Sequence, residues 1–387
     1  MNAIFLVIIY LAFLSIGIPD SLLGAAWPVI YKELTVPLSY AGLINVIISC
    51  ASTGASLLSE WSVKKLGTGM VVAFSTFLTA VAMFGFSVST SYWMLCLSAI
   101  PYGFGAGAID VSLNSYAADS LSSRHMNWLH CTWGVGAIIS PYIMKNAILH
   151  SDWKSGYQLV GGIQLLLTLI LFLALPIWKR QGKADANTRK SHSIKVALQV
   201  SGAPKVIAGI TVYSAVSAIC MLWTSSYLVQ MRGIPEDRAA AYASLFFLGM
   251  TAGRLITGVI SAFCAVNKII RGGVLTILLG IICVVLPVKH TSIALCGFIL
   301  IGLGCAPIYP LTIHSTPKIF GQENSQAIIS LEMAGANISA TIAPLVFSVM
   351  IQFFGMQTLP ATLTVLIIIS FVLIDNPSHN AASLKTH

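Results

Sequence analysis

The sequence predicts an all-α membrane protein with twelve transmembrane helices in two pseudo-symmetric six-helix bundles. Three observations carry that prediction. The 387 residues are 57% hydrophobic and only 9% charged, with a mean hydropathy of +0.87, whereas soluble domains are roughly 45–50% apolar and about a quarter charged. Apolar runs of about twenty residues, enough to cross a ~30 Å hydrocarbon core, recur along the whole chain. One charged interval near the middle divides these runs into two sets.

The first run, 4–26, lacks the basic flank and small-residue cleavage site of a signal peptide and continues past Pro19, so it is read as the first span. Runs at 39–59, 70–89, 92–117, 128–149 and 156–178 complete the first six. The interval that follows carries Lys179, Arg180, Lys183, Arg189, Lys190 and Lys195. Beyond it, runs at 205–230, 238–262, 271–288, 291–316, 325–352 and 357–374 supply six more. The expected domains are 1–178, a cytoplasmic basic linker at 179–204, and 205–387 with a short cytoplasmic tail.

Lys and Arg in short loops collect on the cytoplasmic side. The loops after the even-numbered spans hold Lys64, Lys65, Arg124, the basic run with Lys205, then Lys268, Arg271 and Lys318. The opposite loops hold only Lys32, Lys145, Lys154, Arg232, Arg238 and Lys289. Both termini are therefore expected in the cytoplasm, in a multi-pass protein of the cell's inner (plasma) membrane. The net charge of +9 needs no nucleic-acid partner, because a solvated basic linker beside an anionic leaflet accounts for it.

The two halves echo each other. "GFGAGAID" (103–110) aligns with "GLGCAPIY" (302–309), and "LHCTWGVGAIISP" (129–141) resembles "LEMAGANISATIAP" (331–344) with a one-residue slip. Internal symmetry of this kind marks transporters built from repeats, with the solute site at the repeat interface near the midplane. A monomer suffices for such a design.

The eight cysteines are scattered within the spans, with no CxxC and no Cys/His cluster at metal spacing. P-loop, dinucleotide-binding and nucleophile-elbow motifs are also missing. The sequence thus predicts no enzyme, no cofactor and no metal, and transport has to draw on an ion gradient. The expected partners are a small solute, protons and the lipid bilayer.

Only 12 residues are acidic, and three of them lie deep in spans: Asp20, Asp110 and Glu332. A charge at the bilayer centre costs at least ~2.5–3.5 kcal/mol on insertion scales, so such residues usually face a cavity and carry function. Asn114 lies one helical turn from Asp110 and shares its face. With Tyr116 further round, it forms a polar stripe. Asn45, His130 and Asn337 add hydrogen-bonding groups, and Arg254 is the one deep cation. Each has a structural alternative. Asp20 could cap the helix break at Pro19, Arg254 could snorkel to the gate, and His130 could be a packing residue. Trp27, Trp133, Trp223, Tyr227 and Tyr309 offer flat faces and hydrogen bonds suited to a sugar ring, though aromatics in membrane helices often serve packing.

These features resemble the major facilitator superfamily. "LLSEWSVKKLGTG" (57–69) is similar to a degraded form of that family's cytoplasmic gate motif, which maps its acid onto Glu60 and its basic pair onto Lys64 and Lys65. An acid in span 1, acid-x-x-x-Asn in span 4 and "NWLHCTWGVGA" (127–137) opening span 5 resemble the fucose permease type of sugar:proton symporter. The resemblance implies proton and sugar handling by Asp20 and Asp110. It also implies solute contact by Asn114 and an amide-like role for His130, an ionisable residue where the family commonly has Gln.

The chemistry of coupling is general: desolvation favours the neutral form of a carboxylic acid, and a neutral acid frees a loaded carrier to rock between its two states. His130 and Asp110 are expected to approach each other as a relay. The rival reading is a proton-coupled efflux antiporter for drugs or lipophilic cations, but the late-span-5 Gly-Pro pair of such antiporters is replaced here by Ser140-Pro141.

Overall fold

Pro19 decides the shape of the first span. Lacking an N–H, it leaves the carbonyl of Ser15, four residues back, without its helical partner. In the computed structural model that carbonyl accepts a hydrogen bond from Gln164 Nε2 at 2.6 Å, from a fully buried side chain. The span therefore divides into α1 (Ala3–Asp20) and α2 (Leu22–Glu33) with a turn at Ser21, and together they form one membrane segment, Ile4–Glu33. It runs on to Glu33, seven residues past the expected boundary.

The structure describes residues 3–120, 123–180, 198–287 and 291–375. Lys183, Arg189, Lys190 and Lys195 of the linker, Lys289 and the tail after 375 lie outside them. The described residues are helical throughout, joined by short turns, with no strand among them. The first half continues with α3 (Ala41–Leu66), α4 (Thr68–Ser87), α5 (Tyr92–Ser120), α6 (Ser123–His150), α7 (Trp153–Leu173) and α8 (Leu175–Arg180). The second half comprises α9 (Ala203–Arg232), α10 (Glu236–Tyr242), α11 (Ser244–Ile260), α12 (Val266–Val285), α13 (Thr291–Cys305), α14 (Ile308–Phe320), α15 (Gln322–Phe354) and α16 (Leu359–Asp375). The turn from α3 to α4 passes through Gly67 at φ +81, a left-handed conformation that a side chain would strain.

Eleven spans among the described residues are both long and apolar enough to cross a membrane. The expected span that is not among them is α6. At 28 residues, about 42 Å at 1.5 Å per residue, it has the length. His125, His130, Lys145 and Asn146 lower its average hydropathy.

The internal repeat is visible in the packing itself. A side chain on Gly103 would strike the carbonyl of Ile48 on α3, and one on its counterpart Gly302 would strike that of Phe246 on α11. Gly105 lies against Ser75 and Thr79 of α4, and Gly304 against Gly273 and Ile277 of α12. Gly107 approaches Ser52 on α3, while Ala306 meets Gly253 on α11. The span 4 and span 10 helices thus use the aligned small residues to press on the same two neighbours in each half. Without a hydrophobic drive between helices in lipid, such close backbone approach is what brings membrane helices together.

By contacts the chain groups into two compact units. One contains Met1–Ala186, Leu222–Ser244 and Ile351–Phe353, and the other the remaining residues. In the first unit, Phe5, Phe13, Ile109, Leu113, Tyr116, Leu129 and Trp178 belong to one buried apolar cluster.

Candidate functional site

The site begins where α1 crosses α6. A side chain on Gly17 would collide with the carbonyl of Trp133, and one on Gly136 would press on the backbone of Leu14 and Ile18. Ser21 Oγ donates to the carbonyl of Ala137 at 2.9 Å and pins the same crossing. This contact carries Asp20 to α6. Trp133 Nε1 donates to its Oδ2 at 2.8 Å, and Tyr102 Oη, on α5, donates to its Oδ1 at 2.5 Å. Each carboxylate oxygen therefore has its own donor, one from an indole and one from a phenol. The cap expected as an alternative role for Asp20 is not seen, because the N-cap of α2 is Ser21 and makes no side-chain cap bond.

Asp110 and Asn114 follow from helix geometry alone. One turn apart on α5, they are joined by Asn114 Nδ2 donating to Asp110 Oδ1 at 2.7 Å. Asp110 is exposed even though it lies mid-helix, and Asn114 is half-buried. Ser112 and Ser59, 3.0 Å apart, fix α5 to α3 beside them. Asp20 and Asp110 lie within electrostatic reach of each other. Tyr116 does not continue the polar stripe. It is buried edge-on against Phe5 and Trp178, with ring centroids 5.7 and 5.2 Å away.

The other candidates are dispersed. His130 is half-buried, and its ring packs edge-on against Phe13 at 5.8 Å. Asn45 is half-buried on α3. Trp27 is fully buried and donates to the carbonyl of Leu38 at 2.7 Å, so it presents no face to a solute in this structure. Trp223 and Tyr227 on α9 are likewise buried, although they group with the first unit. In the second unit, Tyr309 is half-buried and Asn337 exposed. Arg254 is half-buried, with Nη2 3.6 Å from Met250 Sδ. Glu332 is fully buried, and both its oxygens accept from Thr316 Oγ1, at 2.9 and 3.2 Å.

Lys64 and Lys65 occupy the last turn of α3, where cations favour the helix dipole. Lys65 sits 5.0 Å from the Trp61 ring centroid, and Glu60 lies on the same helix. Asp20 with Trp133, and Asp110 with Asn114, thus form two hydrogen-bonded groups within the first unit. Tyr102 joins the first of these without having been singled out from the sequence.

A sequence model described as Major Facilitator Superfamily matches residues 9–287 and 206–385, which together span nearly the whole chain. The chain belongs to this superfamily. It is a multi-pass membrane protein of a family of solute transporters rather than enzymes. A glucose/mannose transporter, GlcP of Bacillus subtilis, is 20% identical over 86% of this chain and 84% of its own length. An uncharacterised transporter, y4wD of Sinorhizobium fredii, is 26% identical over 61% of each. Among solved structures, the nucleoside transporter NupG superposes with a TM-score of 0.76 at 14% identity, covering 95% of this chain and 97% of that one. A bacterial homologue of the lysosomal transporter Spinster, in an inward-facing and occupied conformation, gives 0.72 at 10% identity over 98% and 97%. These likenesses establish the fold.

Proposed function

We propose that this chain is a proton-coupled symporter of a sugar or a similar small neutral polar solute. The observation that carries the reading is the carboxylate of Asp20, held by Tyr102 and Trp133 at membrane depth within reach of the Asp110–Asn114 pair. Two carboxylates in one unit repel each other when both are charged. With a proton bound, the pair loses negative charge that is costly in an apolar environment, and the loaded carrier is free to change state. Asn114 and the exposed edge of Asp110 supply hydrogen bonds without a fixed positive charge, which suits a hydroxylated neutral ring. The relative named for glucose and mannose and the structural neighbour named for nucleosides both point to solutes that contain sugar rings.

In this reading the halves 1–178 and 205–387 rock about the linker at 179–204. The termini, Glu60, Lys64, Lys65 and Arg254 lie toward the cytoplasm. Within the first unit, substrate contacts fall to Asn114, Asn45 and Trp133.

The test is uptake of radiolabelled D-glucose, D-mannose, L-fucose and uridine into proteoliposomes, with and without an imposed proton gradient. Symport predicts accumulation of at least one of them only with the gradient. Asp110→Asn is expected to abolish accumulation while sparing exchange, since the amide imitates the protonated acid. Gradient-independent uptake, or counterflow of lipophilic cations with none of the sugars moved, would sink the reading and favour efflux.

A further inference from the structure

The second unit holds an acid that the coupling scheme leaves unused. Glu332 on α15 and Thr316 on α14 are both fully buried, and Thr316 Oγ1 lies 2.9 Å from Glu332 Oε1 and 3.2 Å from Oε2. A hydroxyl has one hydrogen and two lone pairs, whereas an ionised carboxylate only accepts, at about four sites. Given to Oε1, that one hydrogen leaves Oε2 facing the lone pairs of the same hydroxyl. A proton on Oε2 removes the conflict, because its O–H then donates to Thr316 Oγ1. The nearby backbone does not compete. The Thr312 carbonyl, 3.1 Å from Thr316 Oγ1, already accepts from Ser315 Oγ at 2.8 Å.

No described residue, Arg254 included, gives Glu332 a further hydrogen bond or an ion pair. A carboxylate taken out of water without such partners is so costly that the group neutralises instead. α15 packs on α14 through Thr316 and on α9, where a side chain on Gly335 would strike Thr211 Oγ1. The titratable groups of this unit on α9 and α14 are Lys205, Tyr213, Cys220, His314 and Lys318, and α15 adds Glu323. Lys205, His314, Lys318 and Glu323 are exposed, and Tyr213 donates to the carbonyl of Cys305 at 2.6 Å.

One turn before Glu332, Ala327 and Ile328 join Ala203, the first residue of α9, in a buried apolar cluster, with Val200, Phe320 and Leu331 packed against it. Along α15 this cluster stands between Glu332 and the turn from α14 at Gly321. We propose that Glu332 is a second proton-binding site, held neutral behind the apolar plug of Ala203, Ala327 and Ile328 and emptied when α9 and α15 part there. Release breaks the Glu332 O–H bond and passes the proton to a water admitted by the opening. The carboxylate keeps the hydrogen of Thr316, and rebinding reverses the step. A loaded carrier then holds one proton in each unit, a count that rests on the symport reading above, whereas the site itself does not.

The test is infrared spectroscopy of the full chain in lipid, which needs neither solute nor gradient. A neutral carboxylic acid absorbs apart from a carboxylate, and deuterium shifts its band. At neutral pH the wild type should show a band that Glu332→Gln lacks and Asp20→Asn keeps, and the band should fade as pH is raised. Where Glu332→Gln fails to fold, a shift of the band in Thr316→Val identifies it instead. Deuterium exchange of this band should be slow, and Ile328→Ala should speed it about ten-fold or more by loosening the plug. Ile338→Ala, on the exposed face of the same helix, should leave the rate unchanged, which a general loosening would not. No band assignable to Glu332 overturns the site, because the acid is then ionised. A band that persists at every pH and never exchanges marks a fixed structural acid and overturns it too. Equal exchange in Ile328→Ala and the wild type overturns the plug. Failure of gradient-driven uptake beside a titrating, exchanging band sinks the symport reading and leaves the site standing.

Discussion

Lys32 and Glu236, 204 residues apart in sequence, form an ion pair with Nζ 2.5 Å from Oε1. The pair ties the last turn of α2 to the first turn of α10 within one compact unit. Its side chains are 50% and 34% exposed, so solvent and salt screen it and its worth is roughly 0.2–1 kcal/mol. Glu236→Lys should lower the melting temperature of the purified protein slightly, and the swap Lys32→Glu/Glu236→Lys should restore it. High salt should erase the difference. A large, salt-independent loss would mean that the contact matters through packing.

Tyr102→Phe isolates the hydroxyl that donates to Asp20. Removing a donor from a carboxylate costs about 1.5–3 kcal/mol, so the variant is expected to melt well below the wild type. The penalty should shrink when Asp20 is already Asn, because the two residues share one interaction. Thermal unfolding of the four proteins closes this cycle, and additive losses would show that the bond carries no energy.

Thr316 is the hydroxyl on which Glu332 depends. Thr316→Val keeps the shape and leaves the buried acid without that donor. Losing the donor leaves a buried polar group unpaired, at a cost of ~1–3 kcal/mol. The variant should therefore melt below the wild type, and Glu332→Leu in the same background should recover part of the loss. Thermal unfolding of the three proteins decides it, and a wild-type melting temperature for Thr316→Val would show that this bond contributes nothing.

Glycine substitutions provide a spatial test of the packing. Gly103→Leu places atoms on the carbonyl of Ile48. Overpacking of this kind typically costs 1–3 kcal/mol, occasionally more, and here it should prevent accumulation of folded protein. Gly162→Ala points into open space on α7 and should be neutral or slightly stabilising. Size-exclusion profiles of the two variants would reveal any failure of this contrast.

Hydropathy made the spans legible, because lipid imposes one solution on the backbone. The Asp110–Asn114 bond was legible as well, since it needs only one turn of helix. Asp20 could be picked out as an acid inside an apolar run, but not its partners, which come from α5 and α6 across a tertiary crossing. Tyr102 carried only a faint signal, a hydroxyl two turns before Asp110 on the same glycine-rich helix. Trp27 and Trp223 illustrate the opposite difficulty. A tryptophan that lines a cavity and one that fills a core have the same local sequence, and only the packed structure separates them.

The glycine contacts of spans 4 and 10 have a consequence for how the two copies have diverged. They superimpose the surroundings of Gly103 on those of Gly302, and in that register Asp110 and Asn114 correspond to Tyr309 and Ile313. The chassis was duplicated, but this acid–amide pair stands in one copy alone. At these positions the second copy holds nothing that can bear a carboxylate's charge. A substitution there alters shape alone, whereas one at Asp110 alters charge as well.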